Sequence, residues 1–231
     1  MTLIASSTEL TTSATDAVLA LECVVVLAYL WRTPTGDRRK IGLWCWAFGL
    51  LAFASLLGAV AHGLEMPHPW RAALWKPLYL SLGLLVALFL VGAFLDLHGP
   101  AFAMRLVPWC LGLGGIFFGL TEFLNGGFII FVIYEAMAMA GALAIYSLLA
   151  ATHRLKGAGV VAAAIILNLM AAGVQASSAS FKIFVPLDHN GAFHLVQMFG
   201  IAALGLGLRI GLKPDARGAT VVIGPRFATP H

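Results

Sequence analysis

The chain has 231 residues, of which 61% are hydrophobic and 10% are charged, and its formal net charge is +4. A soluble protein carries roughly a quarter charged residues, so this composition excludes the water-soluble classes, including cytosolic enzymes and secreted modules. The positive charge does not indicate a nucleic-acid partner, because the Lys and Arg side chains do not form one patch. We therefore expect an integral membrane protein surrounded by membrane lipids.

Apolar runs of the length that crosses a bilayer, about 20 helical residues, alternate with short charged or Gly- and Pro-rich segments. The sequence predicts an all-α fold, a polytopic seven-transmembrane-helix bundle. It is expected to form a single domain over residues 1–214, followed by a tail at 215–231. The predicted spans are, in chain order, 16–31, 41–62, 72–95, 101–124, 127–152, 158–177 and 191–212.

The distribution of Lys and Arg predicts the orientation, because loops rich in these residues stay cytoplasmic. Of the 14 Lys and Arg residues, all but three fall at the connections after odd-numbered helices or in the tail. The three exceptions are Arg71, Lys76 and Lys182. We expect the N-terminus outside and the C-terminus in the cytoplasm, in the inner (plasma) membrane of a bacterium.

Polar residues inside the predicted spans concentrate at one end of the bundle. Ionisable side chains in a bilayer are costly and usually face a cavity or a partner. When residues are placed by depth at 1.5 Å per helical residue, nearly all of these groups fall in the outer half, and the inner half carries almost none apart from its basic rim. This asymmetry predicts an outward-facing polar pocket. The candidate ligand-binding residues are Asp16, Lys76, Tyr79, Glu122, Asn168 and Gln197.

Three histidines, His62, His189 and His194, are predicted at the outer ends of helices 2 and 7. Imidazole is a common metal ligand, and three histidines leave a fourth zinc position for an activated water. His189 and His194 are five residues apart, so both bind one ion only if His189 lies in a turn before the helix, with Asp188 or Asn190 as N-cap. Alternatively, His194 shares a helix face with Asn190, and His189 lies in solvent.

The segments AHGLE and DHNGAFHLVQ, in a seven-helix bundle with its N-terminus outside, resemble the CREST-type superfamily of membrane hydrolases, which includes the alkaline ceramidases and the adiponectin and progestin receptors. The resemblance implies that His62, His189 and His194 hold zinc. It also implies hydrolysis of a lipid amide or ester in the extracytoplasmic half of the bundle. The candidates for the general base are Glu22, Glu65 and Glu135.

The sequence departs from the pattern of this superfamily at three points. The two helix 7 histidines are separated by four residues rather than three. Gly58 stands where a serine one turn before the helix 2 histidine is usual. Helix 3 offers Lys76, Tyr79 and Ser81 where an aspartate is expected.

The alternative function is a non-enzymatic receptor, carrier or complex subunit that binds a small polar ligand or a cation in the same pocket. A haem between His62 and His194 is a weaker alternative, and a rhodopsin is excluded because the middle of the last span contains no lysine. Metal content discriminates the hydrolase from the binding protein. The sequence is compatible with a monomer, a dimer or a subunit of a larger complex.

Overall fold

The computed structural model describes residues 2–35, 37–124, 127–178, 180–182 and 185–213. It confirms the all-α fold, because these residues form seven long α-helices, each long and apolar enough to cross a membrane. The predicted tail, 215–231, lies outside the described residues. The helices are α1 (Ser7–Trp31), α2 (Arg38–Gly63), α3 (His68–His98), α4 (Pro100–Phe123), α5 (Gly127–Ala151), α6 (Ala158–Gln175) and α7 (His189–Leu212).

Six of the helices surround a central space. Helix α1 packs against α2 and α7, α2 packs against α3, and α5 joins α3 to α6, which packs against α7. Helix α4 packs mainly on α3, and the main buried core among the described residues contains side chains from the other six helices. We call the end of the bundle at which α1 begins the N-terminal end, and the opposite end, at which α7 finishes, the C-terminal end.

Helix α1 begins at Ser7, nine residues before the predicted start at residue 16. The Ser6 hydroxyl caps the helix by accepting a hydrogen bond from the Glu9 backbone N–H at 3.4 Å, which satisfies a donor that the helix itself leaves unpaired. The prediction was wrong here because the first turns are polar. Two of their threonines, Thr12 and Thr15, are buried in the bundle rather than exposed to lipid.

Two short sheets lie at the N-terminal end. Strand β1 (Thr2–Leu3) pairs antiparallel with β2 (Leu64–Glu65), and β3 (Phe181–Lys182) pairs antiparallel with β4 (Pro186–Leu187). The Ile4 backbone N–H also donates to the Gly63 carbonyl at 3.0 Å. The segment before α1 is thereby fastened to the end of α2, next to the predicted histidine of that helix.

A buried polar cluster lies at the C-terminal end, where the sequence predicts almost none. Lys40 of α2 forms an ion pair with Asp96 of α3, and the Tyr146 hydroxyl of α5 donates to the other Asp96 carboxylate oxygen at 2.9 Å. All three side chains are buried. The expectation of few polar groups at this end was wrong because the predicted third span stopped at residue 95. Helix α3 continues to His98 and therefore includes Asp96.

We predict that Asp96→Ala lowers the free energy of unfolding by about 3–5 kcal/mol, because it leaves the Lys40 ammonium buried without a counter-ion. The double variant Lys40→Met, Asp96→Asn should recover most of this loss, since it buries no charge and keeps an acceptor for Tyr146. Unfolding of the detergent-purified variants measures both effects. An Asp96→Ala variant as stable as the wild type would contradict a structural role for this ion pair.

Candidate functional site

A cavity of about 350 Å³ lies in the N-terminal half of the bundle, and its described lining comes from every helix except α4. This volume lies within the range of small-molecule binding sites. Most of the wall is apolar. The polar lining residues are Asp16, Ser55, His62, Tyr79, Glu135, Gln175, His189, Asn190, His194 and Gln197.

The wall formed by α1 and α7 contains a buried hydrogen-bonded network. His194 of α7 places Nε2 3.3 Å from the Asp16 Oδ1 and Nδ1 3.0 Å from the Thr15 hydroxyl. The Thr15 hydroxyl in turn donates to the Thr12 carbonyl at 2.8 Å. All of these side chains are buried, so the network is shielded from solvent and joins the first helix to the last.

The network determines how the His194 ring is protonated. A threonine hydroxyl has one proton, and Thr15 uses it on the Thr12 carbonyl, so Thr15 must accept a hydrogen bond from the His194 Nδ1–H. The contact between Nε2 and Asp16 then requires one proton, on either the imidazole or the carboxyl group, because two lone pairs at this distance repel. In both arrangements, Asp16 and His194 together carry no net charge.

Gly58 of α2 makes room for this network. A Cβ atom at position 58 would lie 2.7 Å from the Asp16 Oδ2 and 3.0 Å from the other carboxylate oxygen. Gly58 therefore lets the Asp16 carboxyl group lie directly against the α2 backbone. A serine at this position and the observed position of Asp16 are mutually exclusive.

Helix α7 begins at the mouth of the cavity, and Asp188 is its N-cap, one of the two residues predicted for that role. Asp188 Oδ1 accepts hydrogen bonds from the Gly191 backbone N–H at 2.9 Å and from the Thr12 hydroxyl of α1 at 3.0 Å. A single carboxylate oxygen thus starts α7 and links it to α1. His189 is the first residue of this helix rather than part of a preceding turn.

Three polar residues that line the cavity each have a buried side-chain oxygen without a hydrogen-bond partner in the described part of the chain. They are Glu135 of α5, Gln175 of α6 and Gln197 of α7. A buried polar atom without a partner costs free energy, and in a native structure it often marks a site completed by water or a ligand. The amide groups of the two glutamines can rotate to present a donor, whereas an ionised Glu135 carboxylate can only accept.

His62 of α2 lies at the outer part of the cavity and is held by two contacts. Its Nδ1 lies 2.6 Å from the Glu9 Oε2, and its ring makes an edge contact with the Trp75 ring, with centroids 5.6 Å apart. Glu9 was not a predicted site residue, because the predicted helix 1 began after it. Ser6 and Glu9 are three residues apart, which is the spacing of a capping box at the start of a helix. This spacing could have indicated that α1 begins at Ser7.

A smaller, deeper cavity of about 50 Å³ shares Glu135, Gln197 and several apolar residues with the main cavity, so the two adjoin. Asn168 lines this deeper cavity, and its Nδ2 donates to the Ala164 carbonyl at 2.8 Å. Asn168, predicted as a ligand-binding residue, therefore lines the deep cavity and not the main one. Its amide nitrogen already has a backbone partner there.

The structure brings several predicted site residues to the cavities and leaves others away from both. Asp16, Tyr79, Glu135, Gln197 and all three histidines line the main cavity. Lys76 pairs with Glu122 at 2.7 Å, and exposed Glu65 accepts a hydrogen bond from the Thr2 hydroxyl at 3.1 Å. The predicted residues that line neither cavity are Glu22, Glu65, Lys76 and Glu122.

His62 and His194, two of the three histidines predicted as zinc ligands, have protein contacts of their own. Among the described residues, no group of three or more His, Cys, Asp or Glu side chains is placed to hold a metal ion. Both ring nitrogens of His194 have protein partners, Thr15 and Asp16. His62, His189 and His194 all line the same cavity.

The fold and the cavity define an integral membrane protein, a seven-helix bundle with a central cavity of small-molecule size. The chain belongs to the family of unknown function DUF6962, which matches residues 11–213 and thus most of the described bundle. No curated protein and no solved structure matches the chain.

We predict that Gly58→Ala destabilises the protein by about 1–3 kcal/mol, because the added methyl group overlaps the Asp16 carboxyl group and forces it out of the network. Gly49→Ala in the same helix is the matched control, since a Cβ there meets nothing within 4 Å and should leave stability unchanged or slightly raised. Thermal unfolding of both variants tests the packing. Equal stability of the two variants would contradict the position of Asp16.

Proposed function

We propose that the protein binds a small organic cation in the main cavity, with Glu135 as its counter-ion, and acts as a receptor, carrier or complex subunit. The observation that carries this proposal is Glu135, which lines the cavity and whose buried Oε2 has no partner in the described structure. A cationic ligand supplies the charge and the donors that this carboxylate lacks.

The charge of the cavity supports a cation. Its described lining includes two carboxyl groups, Asp16 and Glu135, and no Lys or Arg. Asp16 and His194 share a proton and together are neutral, so of the two carboxyl groups in the described lining Glu135 is the one that offers a negative charge to a ligand. A carboxylate buried among apolar walls attracts a cation strongly, because water does not screen the interaction.

The aromatic lining also supports a cation. The rings of Trp75, Tyr79, Phe131 and Phe193 line the cavity, and Trp75 lies 5.8 Å from Tyr79 between ring centroids. Aromatic faces attract organic cations through their quadrupoles, by about 0.5–2 kcal/mol per ring, most where water is excluded. The apolar part of an organic cation is stabilised by the same surfaces.

Three probes of similar size and different charge test the proposal: benzylammonium, benzyl alcohol and benzoate. We expect benzylammonium to bind at least tenfold more tightly than benzyl alcohol, and benzoate not to bind. Isothermal titration calorimetry on protein in lipid nanodiscs measures the affinities. Equal affinity for the alcohol and the ammonium would contradict a carboxylate counter-ion.

Two glutamates provide a matched pair of variants for the same titration. Glu135→Gln should reduce benzylammonium affinity about 10- to 100-fold, the effect of losing a charge-assisted hydrogen bond. Glu22→Gln should leave the affinity unchanged, because Glu22 also has a buried oxygen without a partner in the described structure but lines neither cavity. An equal loss in both variants would indicate a general effect of removing intramembrane acids.

Zinc-dependent hydrolysis of a lipid amide or ester is the second candidate function. The observation that favours it is that His62, His189 and His194 line one cavity. In addition, His62 directs Nδ1 to Glu9 at 2.6 Å, the carboxylate contact that often orients a zinc-binding histidine and leaves Nε2 for the metal. Zinc binding would require His194 to exchange its contact with Asp16 for the ion.

Metal analysis of protein purified without chelators discriminates the two functions. The cation-binding proposal predicts less than about 0.1 zinc per chain, unchanged in His62→Ala. One zinc per chain, lost in both His62→Ala and His194→Ala, would overturn the cation-binding proposal in favour of the hydrolase.

The proposal places the cavity on the extracytoplasmic side of a bacterial plasma membrane, because most of the Lys and Arg residues belong to the connections after odd-numbered helices or to the sequence that follows α7. Reporter fusions at the C-terminus test this orientation. We expect a fused green fluorescent protein to fluoresce and a fused alkaline phosphatase to be inactive. The opposite pattern would place the cavity on the cytoplasmic side.

A further inference from the structure

We infer that the ligand is a secondary amine in its ammonium form, with its nitrogen between Glu135 and Gln197, its larger substituent in the main cavity and a small alkyl group in the deep cavity. This inference rests on the proposed function and specifies its ligand class. It derives from the two side chains that border both cavities and from the difference in size between the cavities.

Two polar residues lie at the junction between the main and the deep cavity. Glu135 and Gln197 line both cavities, and each has a buried oxygen with no partner in the described residues. They lie at similar depth, since each is eight residues after the first residue of its helix, α5 or α7, or about 12 Å along the axis. A nitrogen at this junction meets two acceptors.

Two acceptors at the junction match the two N–H groups of a secondary ammonium. One N–H donates to the Glu135 carboxylate, and the other donates to the Gln197 amide oxygen. A quaternary ammonium has no N–H and leaves both oxygens without a partner, which is costly in a buried site. A primary ammonium satisfies both oxygens but leaves the deep cavity unfilled.

The deep cavity fits a short alkyl group. Apart from Glu135, Gln197 and Asn168, its described lining is apolar and includes Ala164 and Leu204, and the Asn168 amide nitrogen already donates to the Ala164 carbonyl. At roughly 10–15 Å³ for each water-sized group, the volume of about 50 Å³ accommodates about three to five non-hydrogen atoms. The main cavity, about 350 Å³, has room for the larger substituent.

The test is a titration of the full-length protein in nanodiscs with benzylammonium and its N-methyl, N-propyl and N-hexyl derivatives, together with benzyldimethylpropylammonium as the quaternary analogue. We expect N-propylbenzylammonium to bind at least tenfold more tightly than benzylammonium. The N-hexyl compound should bind less tightly than the N-propyl compound. The quaternary analogue should lose at least tenfold relative to N-propylbenzylammonium.

Two opposite variants of the deep cavity test where the alkyl group lies. Ala164→Val reduces the cavity and should move the optimum to the N-methyl compound. Leu204→Ala enlarges it and should move the optimum beyond propyl. Thermal unfolding identifies a variant that does not fold, and the series on the wild type remains decisive in that case.

The outcomes separate this inference from the proposed function. One outcome is that the ammonium compounds bind through Glu135 with affinities that depend neither on the length of the N-alkyl chain nor on conversion to the quaternary analogue. The secondary-amine inference is then overturned and cation binding stands. If no ammonium compound binds more tightly than benzyl alcohol, both are overturned. An optimum at propyl that both deep-cavity variants leave unchanged would also overturn the assignment of the alkyl group to the deep cavity.

Discussion

The contact between the first and the last helix determines the shape of the interior. Thr12 and Thr15 of α1 meet Asp188 and His194 of α7 through hydrogen bonds, and Asp16 reaches His194 from the same side. Helices α1 and α7 are the first and last members of the ring around the central space, so contacts between them, which also include Val26 packed against Gly205, close that ring. Because lipid tails are as apolar as the helices, such polar contacts, together with close packing, are what can hold a ring of helices together in a membrane.

The two carboxyl groups of the cavity differ in whether they have a partner within the described part of the protein. Asp16 is committed to His194 and has the backbone of Gly58 directly behind it, so it has a structural role in the wall. Glu135 lines the same cavity, and its buried Oε2 has no partner in the described structure. Ionisable groups in a membrane are costly and are usually functional when they have no internal partner, so the uncommitted carboxylate is the better candidate for ligand binding.

The apolar runs were sufficient to predict all seven helices, because a bilayer requires about twenty apolar residues at each crossing. They were not sufficient to predict the polar helix ends. The turns from Ser7 to Thr15 and the position of Asp96 inside α3 depend on partners from other helices, which no local pattern specifies. The cavity residues Asp16, Glu135 and Gln197 could be selected by depth, but depth could not show that Glu22 lies away from the cavity. The radial position of a residue depends on how each helix is rotated, and in a chain that is apolar on all sides the pattern gives little information on rotation.

The central claim is that Glu135 is the counter-ion of a bound organic cation. The most direct test is a structure of the protein in nanodiscs, determined with and without N-propylbenzylammonium. The account predicts ligand density in the main cavity, with the nitrogen within about 3.2 Å of the Glu135 carboxylate and the Asp16–His194 contact unchanged. Ligand density elsewhere, or a metal ion bound by His62, His189 and His194 in the cavity, would contradict it.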